Sequence, residues 1–154
     1  MSTGSGSSPN EDATLAPASA PTPAPVLTRR RLPAERRSIT RKFRLRYKHK
    51  DGTDDVMSLY LTAGLFEDGA LGEVFIKADR MGTMARGALD ATATMISLLL
   101  QYGVPLEVVI DKLRHTRYEP AGWTGDPEFK SCTSALDLVA QWLDKRFGQV
   151  AQTS

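Results

Sequence analysis

The pattern of apolar and polar positions separates a polar N-terminal stretch from a part with strand and helix periodicity. Residues 1–28 are rich in Pro, Ala, Ser, Gly and Thr, and such a composition buries too little apolar surface to offset the entropy lost on ordering. We therefore expect a disordered tail over residues 1–28. The remaining pattern predicts a basic linker at 29–38, a folded domain at 39–148 and a short C-terminal tail at 149–154.

Three segments alternate apolar and polar residues, which is the two-residue period of a half-buried strand. The first begins near Ile39, the second covers residues 57–63, and the third covers residues 72–78. Asp-Gly pairs at 51–52 and 68–69 separate them, and this pair tolerates the positive φ of a tight hairpin. A three-stranded antiparallel meander is the simplest sheet that these segments predict.

Two segments with a helical period follow the strands. The first helix is predicted over residues 83–102 and ends at Gly103, a residue that commonly terminates helices. The second opens at Pro105, where the missing N–H of proline does no harm. Its apolar residues fall on one face: Leu106, Val109, Ile110 and Leu113.

A third helix is predicted at the C-terminal end, with Asp126 as its N-cap, Pro127 in the first position and Gly148 as its end. Its core face is formed by Leu136, Val139, Leu143 and Phe147. Together these elements predict an α+β fold, in which the three-stranded antiparallel meander is followed by three helices packed on one face of the sheet.

Charge is distributed unevenly along the chain. The net charge is +2, yet residues 29–50 carry eleven Lys or Arg against Glu35 alone, so residues 51–154 are acidic. Five arginines before the first strand form the basic arm: Arg29, Arg30, Arg31, Arg36 and Arg37. We expect this arm to be mobile. It could bind nucleic acid, since counterion release favours such binding at low salt, or it could complement the acidic domain of its own chain.

The loop at residues 115–125 is the best candidate for a binding site. Its candidate contact residues combine charge, an aromatic ring and backbone freedom: Arg117, Glu119, Gly122, Trp123 and Thr124. The loop also precedes a predicted helix N-terminus, which attracts anions. The structural alternative is that Tyr118 and Trp123 fill the gap between the second and third helices.

The sequence predicts no catalytic residue and no metal ligand. The single cysteine, Cys132, excludes an intrachain disulfide. Its predicted place early in the third helix suits a small buried residue, although a thiol near a helix N-terminus can be reactive. Neither His49 nor His115 has a second titratable residue at a fixed spacing.

No segment of the sequence is suited to crossing a membrane. The longest apolar tracts, near residues 98–100 and 108–110, are far shorter than the roughly 20 residues that a bilayer requires. The N-terminus also lacks the charged and apolar regions of a secretory signal. We therefore expect a cytoplasmic protein without membrane association.

Several blocks of the sequence, in the same order, resemble one known family. They are residues 32–36, 40–43, 67–76, 97–107 and 117–125. Over some 110 residues the chain is similar to the C-terminal domain of adenosylcobalamin-dependent ribonucleotide reductases, the TSCPD domain. That domain is named for a Thr-Ser-Cys-Pro-Asp motif, and the corresponding stretch here is expected at residues 122–127, where no cysteine is present.

The resemblance implies a role in deoxyribonucleotide supply for DNA replication and repair. Reductases of this family use at least three thiols, and this chain has one, so we expect it to act as a stand-alone domain that associates with a separate catalytic chain. The 115–125 loop and the exposed sheet face would be its contacts. Adenosylcobalamin would be bound by that partner and not by this chain. The alternative is a non-enzymatic regulator that binds nucleotides or nucleic acid through the basic arm.

Overall fold

The computed structural model describes residues 2–6 and 20–148. Residues 1 and 7–19 of the predicted N-terminal tail, and the whole predicted tail at 149–154, lie outside the described residues. Residues 2–6 and 20–28 contain no helix or strand. The disorder expected for residues 1–28 stays a prediction.

Three long antiparallel strands form the predicted meander. Strand β1 spans Ser38–Lys48, β2 spans Asp54–Leu65 and β3 spans Leu71–Ala78. Gly52 and Gly69, in the two connecting turns, both have φ of +86°, a backbone conformation that glycine adopts without steric cost. The alternation in the sequence therefore located the strands, and the Asp-Gly pairs located their turns.

Two short strands, which the sequence did not predict, extend the sheet beyond the meander. Strand β4 is Gly122–Trp123 and β5 is Ser131–Cys132, and the strand order is β3-β2-β1-β4-β5. The three-stranded sheet was thus an incomplete prediction, because two residues are too few to display an alternation. The α+β class is confirmed.

Three helices are present in the part of the chain that the structure describes. Helix α1 spans Thr83–Gln101 and α2 spans Leu106–Leu113, in agreement with the periodicity. Helix α3 spans Ala135–Phe147, so the predicted start at Asp126 and Pro127 was wrong. Ser134 is the true N-cap, and its hydroxyl accepts the backbone N–H of Asp137 at 2.9 Å.

The segment before α3 is held in turns by local contacts. The Asp126 carboxylate accepts the N–H of Glu128 at 2.9 Å, which is a turn interaction available outside helices. Phe129 then enters the core, where its ring meets Phe43 edge-on with centroids 5.5 Å apart. Burial of this aromatic side chain favours the irregular path over an earlier helix start.

The core lies between the three helices and the sheet, and α1 also borders the free edge of β3, where the Ser97 hydroxyl accepts the N–H of Val74 at 2.9 Å. Buried side chains from all three helices belong to the same cluster as those of the long strands: Phe43, Leu45, Met57, Leu59, Leu61, Val74, Ile76, Leu89, Ile96, Val109, Leu138, Trp142 and Leu143. The opposite face of the sheet carries no helix among the described residues. None of the described helices is long and apolar enough to traverse a bilayer.

Candidate functional site

The predicted contact loop is split between exposed and structural residues. Arg117, Glu119 and Trp123 are exposed, and Trp123 retains 68% of its surface. Trp123 also borders an open groove of about 530 Å³ whose walls include Arg46 and Asp55. These three loop residues remain accessible to a partner.

Gly122 and Thr124 of the same loop serve the fold. A Cβ at Gly122 would lie 1.8 Å from the carbonyl oxygen of Arg46, so only glycine fits against β1. The Thr124 hydroxyl accepts the N–H of Asp126 at 3.0 Å and donates to the carbonyl of Phe129. Gly122 and Thr124 were predicted as contact residues, but their role in the structure is to shape the loop.

The two aromatic residues of the loop behave differently from each other. The Tyr118 hydroxyl accepts the N–H of Leu136, at the start of α3, at 2.9 Å, and burial raises the pKa of Tyr118. Trp123 instead projects into solvent from β4. The structural alternative, in which both rings fill an interhelical gap, therefore does not hold for Trp123.

No free helix N-terminus follows the loop, contrary to the prediction. Strand β5 follows it, and the first turn of α3 is already occupied by Asp137, which is 2% exposed. The Asp137 carboxylate accepts the N–H groups of His115 at 2.8 Å and Thr133 at 3.1 Å. An anion at this helix end would meet a carboxylate, so the expected anion site is absent.

Asp137 also binds Arg114, an ion pair that the sequence reasoning missed. Arg114 Nη1 lies 2.9 Å from Asp137 Oδ1. Burial alone would raise the pKa of Asp137, but the N–H donors and Arg114 hold that pKa below its ordinary value. The sequence did carry a signal for the helix start that places Asp137, because Ser134 and Asp137 have the Ser-x-x-Asp spacing of a capping box, but it carried none for the pairing with Arg114.

The first two arginines of the basic arm contact the body of the domain. Arg29 Nε donates to the side-chain oxygen of Gln101 at 2.7 Å, and the Arg30 backbone N–H donates to the Gln101 carbonyl at 2.8 Å. The Arg30 guanidinium lies 3.8 Å from the ring centroid of Phe66 and 2.9 Å from Asp68. This part of the arm is therefore packed, whereas the sequence predicts a mobile segment.

Arg36 anchors the other end of the arm. Its guanidinium forms a two-pronged pair with the carboxylate of Glu73, with Nη2 and Oε2 at 2.9 Å. Glu73 is 9% exposed, and Arg36 Nη1 also donates to the carbonyl of Pro33 at 3.1 Å. Arg31 and Arg37 are exposed. The arm thus serves in part as an intramolecular complement to the acidic domain.

Cys132 lies in β5 and not in the third helix, and it is 6% exposed. Burial raises the pKa of its thiol to about 11. The buried interpretation is therefore supported over the reactive one, since the thiolate is the nucleophilic form.

The two histidines lie in separate parts of the fold. His49 Nε2 lies 2.9 Å from Asp55 Oδ2 at the end of the β1–β2 hairpin, and His115 is exposed with φ of 63°. Within residues 2–6 and 20–148, no three His, Cys, Asp or Glu side chains come together as a potential metal site. The ring of His49 thus takes part in a local contact of the hairpin.

Comparison with known proteins relates the chain to a domain family and to a class of reductases. The TSCPD domain model matches residues 31–147. A vitamin B12-dependent ribonucleotide reductase of Rhodopirellula baltica is 40% identical over 119 residues, which are 77% of this chain and 11% of the relative. The enzymes of the same name from Streptomyces avermitilis and Agrobacterium fabrum are 39% identical over 72% of this chain, and the matches cover 11% and 8% of those relatives. The chain therefore spans about a tenth of the length of these relatives.

A second stretch of the chain also resembles the motif that names the family. Residues 130–134 read Lys-Ser-Cys-Thr-Ser, which retains the central Ser-Cys of Thr-Ser-Cys-Pro-Asp. Ser134 occupies the last position and caps α3, a role that Asp fills equally well. Residues 130–134 are thus a second candidate for the motif, and the expected correspondence with residues 122–127 stays a prediction.

No solved structure matches the chain. The assignment consequently depends on the sequence matches, which cover most of the described fold from the basic arm to the end of α3. Because the family model covers well over half of its residues, this protein belongs to the TSCPD domain family.

Proposed function

We propose that this chain acts as an accessory domain of a vitamin B12-dependent ribonucleotide reductase. In this role it associates with a separate catalytic chain in the cytoplasm and supports the synthesis of deoxyribonucleotides for DNA replication and repair. It is the catalytic chain, and not this one, that reduces ribonucleotides.

The observations that carry the proposal are the match of the TSCPD domain model to residues 31–147 and the matches to vitamin B12-dependent ribonucleotide reductases over 119 and 111 residues. Ribose reduction of this kind requires several thiols, and the chain contains only Cys132. Its burial and its raised pKa, about 11, disfavour the thiolate. In this proposal the reducing thiols therefore belong to the catalytic chain.

The cofactor of such an enzyme, adenosylcobalamin, is assigned to the partner. The exposed His115 has no ordered partner for its ring among the described residues, and the His49 ring is paired with Asp55. Neither imidazole is set in a cavity that encloses a large planar group. In this proposal the partner supplies the adenosylcobalamin site, and this chain takes no part in binding the cofactor.

We assign the contact with the catalytic chain to the exposed part of the loop. Trp123 is a large, exposed aromatic residue held on a short strand, with Arg117 and Glu119 exposed in the same loop. Aromatic and arginine residues often carry most of the binding energy at protein interfaces. The rigid attachment of Trp123 to β1 and β5 lowers the entropic cost of docking.

The test is calorimetric titration of this chain with the purified reductase catalytic chain from the same organism. We expect a defined complex that W123A weakens by about tenfold or more, as for an aromatic hot spot. Y102A is the matched control, because Tyr102 is also exposed, at 41%, but lies at the end of α1. Absence of a complex, or an equal loss of affinity in W123A and Y102A, would contradict the proposed contact.

The alternative of a regulator that binds nucleotides or nucleic acid through the basic arm has weaker support. Arg29, Arg30 and Arg36 are bound to Gln101, Asp68 and Glu73 of their own chain. A polyanion would have to compete with these contacts for three of the five arginines of the arm.

A further inference from the structure

The exposed sheet face was expected from the sequence to contact the catalytic chain together with the loop, but the contact proposed above needs only the loop and leaves this face open. Residues 40, 42, 44 and 46 of β1 lie beside residues 56, 58, 60 and 62 of β2, and residues 75 and 77 of β3 complete the surface. We call these ten positions the outer face. The residues on it are exposed or half-buried, whereas their neighbours along each long strand point into the core.

The outer face is strongly cationic. Four of its ten residues are Lys or Arg and none is acidic: Lys42, Arg44, Arg46 and Lys77 carry the charge. Lys77 is paired with Asp90 of α1 at 3.2 Å. Within the described ranges, the other three cations have no carboxylate within salt-bridge distance.

Acidic residues flank the outer face, and each is held in a local contact. Asp54, the next residue of β2 on this side, is paired with Lys48 at 2.8 Å. Asp79, just beyond β3, accepts the backbone N–H of Ser58 at 2.8 Å. Glu73, at the other end of β3, is paired with Arg36. These contacts leave the three β1 cations as the dominant charges of the outer face.

Aromatic rings lie among these cations. Tyr60 is 38% exposed and Phe75 is 44% exposed. Tyr60 is paired with Lys77 across β2 and β3, so Phe75 is its diagonal neighbour, at roughly 7–8 Å. Trp123 continues the aromatic surface, because it is paired with Arg46 at the edge of β1.

We propose that the outer face binds an extended single-stranded polynucleotide. Its phosphates lie along Lys42, Arg44 and Arg46, and its bases stack on Tyr60 and Phe75. Single-strand binding surfaces combine these two features, a cationic track and exposed aromatic rings. A sheet with aromatic residues on its open face is a recurring platform for unstacked bases.

The combination favours a polynucleotide over an acidic polypeptide. Alternate residues of β1 place the cations about 6.6–6.8 Å apart along one line, and a flexible single strand can adjust its phosphates to that repeat. Phe75 offers ring surface that bases can cover and that carboxylates use poorly. Tyr60 does so once Lys42, whose ammonium lies 5.4 Å from the centroid of the Tyr60 ring, turns to a phosphate. A duplex is disfavoured, because its bases are already stacked and cannot reach the rings.

The experiment is fluorescence anisotropy of the full chain with labelled probes. The probes are oligothymidylate and oligouridylate of about 20 nucleotides, a duplex of equal length, and polyglutamate. We expect both single strands, or one of them, to bind more tightly than the duplex or polyglutamate. The comparison of the two single strands shows whether the natural ligand is DNA or RNA.

Matched variants separate the outer face from the basic arm. R44E/R46E is expected to weaken single-strand binding by at least about tenfold and to lower the salt slope, since each phosphate contact contributes about −0.7 to it. R31E/R37E makes the same charge change in exposed arm residues and should have a much smaller effect. An equal loss of single-strand affinity in the two double variants would overturn the assignment to the outer face.

A second pair of variants tests stacking. Y60A and F75A should each weaken single-strand binding by about fivefold or more, while the exposed Tyr102, changed in Y102A, serves as control. If neither Y60A nor F75A lowers single-strand affinity, the proposal fails. If polyglutamate binds more tightly than the oligonucleotides, the proposal also fails, and the face is a docking site for acidic protein.

Amide chemical shifts can be measured on the unaltered protein, so the result does not depend on whether a variant folds. Addition of the single strand should move the signals of β1, β2 and β3 residues on the outer face and leave α2 and α3 unchanged. Shifts confined to the basic arm, or to the Trp123 loop alone, would contradict the proposal. Because the catalytic chain is not in this experiment, its outcome is independent of the proposed reductase association.

Discussion

Arg46 of β1 and Trp123 of β4 are directly paired across the sheet. The pair joins the loop that precedes β5 to the centre of the molecule. It exists because Gly122, the neighbour of Trp123, lets the loop backbone approach β1. The position of the exposed indole therefore depends on a residue with no side chain.

Gly122 should accordingly tolerate no side chain. In G122A the new Cβ would overlap the Arg46 carbonyl oxygen, 1.8 Å away, and we expect a loss of about 2 kcal/mol or more in unfolding free energy. Urea denaturation measures it.

Gly87 provides the control for that substitution. It lies within α1, and a Cβ there meets nothing within 4 Å. G87A should raise the unfolding free energy by about 0.5–1 kcal/mol, because alanine is the better helix former. Equal effects at the two positions would refute the close approach of β4 to β1.

Asp137 should be among the polar residues most important for stability. D137N leaves Arg114 and two N–H donors facing an amide instead of a carboxylate, and we expect a loss of about 2–4 kcal/mol. D111N is the matched control, since Asp111 has a side chain that is 76% exposed and should change stability by less than about 0.5 kcal/mol. A loss no larger in D137N than in D111N would show that the contacts of Asp137 do not stabilise the fold.

Acid should destabilise the protein through the carboxylates of Asp137 and Asp126. The pKa of each lies below its ordinary value despite the opposing effect of burial, because N–H groups and an arginine bind the charged form. The stabilisation is therefore complete above the unfolded pKa of about 3.9 and is lost as the pH falls through the lower folded pKa. Unfolding free energy measured by urea titration should be level near neutral pH and fall below about pH 4. A rise in stability on acidification would contradict this sign.

Cys132 should resist thiol reagents in the native state. Its burial and its pKa of about 11 leave very little accessible thiolate near neutral pH. We expect slow reaction with an aromatic disulfide reagent, and rapid reaction after denaturation. In C132S/S131C, the cysteine moves to the neighbouring exposed position and should react quickly without denaturant. Fast native labelling of the unaltered chain would contradict the buried assignment.

Much of the fold follows from local sequence pattern. The meander could be predicted because β1, β2 and β3 each bury one face and expose the other, which imposes a two-residue period. Helices α1 and α2 could be predicted because their apolar stripes are bounded by Gly103 and Pro105. Each of these features can be detected within a short stretch of consecutive residues.

The errors arose where distant contacts decide the structure. The start of α3 was misplaced because Asp126 and Pro127 resemble a helix cap, while burial of Phe129 against Phe43 favours a different path. Strands β4 and β5 depend on pairing with β1, which no local pattern reveals.

The candidate site was predicted only in part, for the same reason. Trp123 is exposed, as the loop composition suggested, but Gly122 and Thr124 serve the fold. The partners of the basic arm, Glu73 and Gln101, lie far from it in sequence. Composition identified the charge of the arm but not the groups that bind it.

The most direct test of the account is the turnover of a vitamin B12-dependent reductase catalytic chain that lacks a TSCPD domain of its own. Ribonucleotide reduction by that chain is measured with adenosylcobalamin, with and without equimolar amounts of this protein, and with this protein alone. We predict that the protein raises the turnover of the catalytic chain and has none by itself. Unchanged turnover on addition, or reduction of ribonucleotides by this chain alone, would contradict the proposed role.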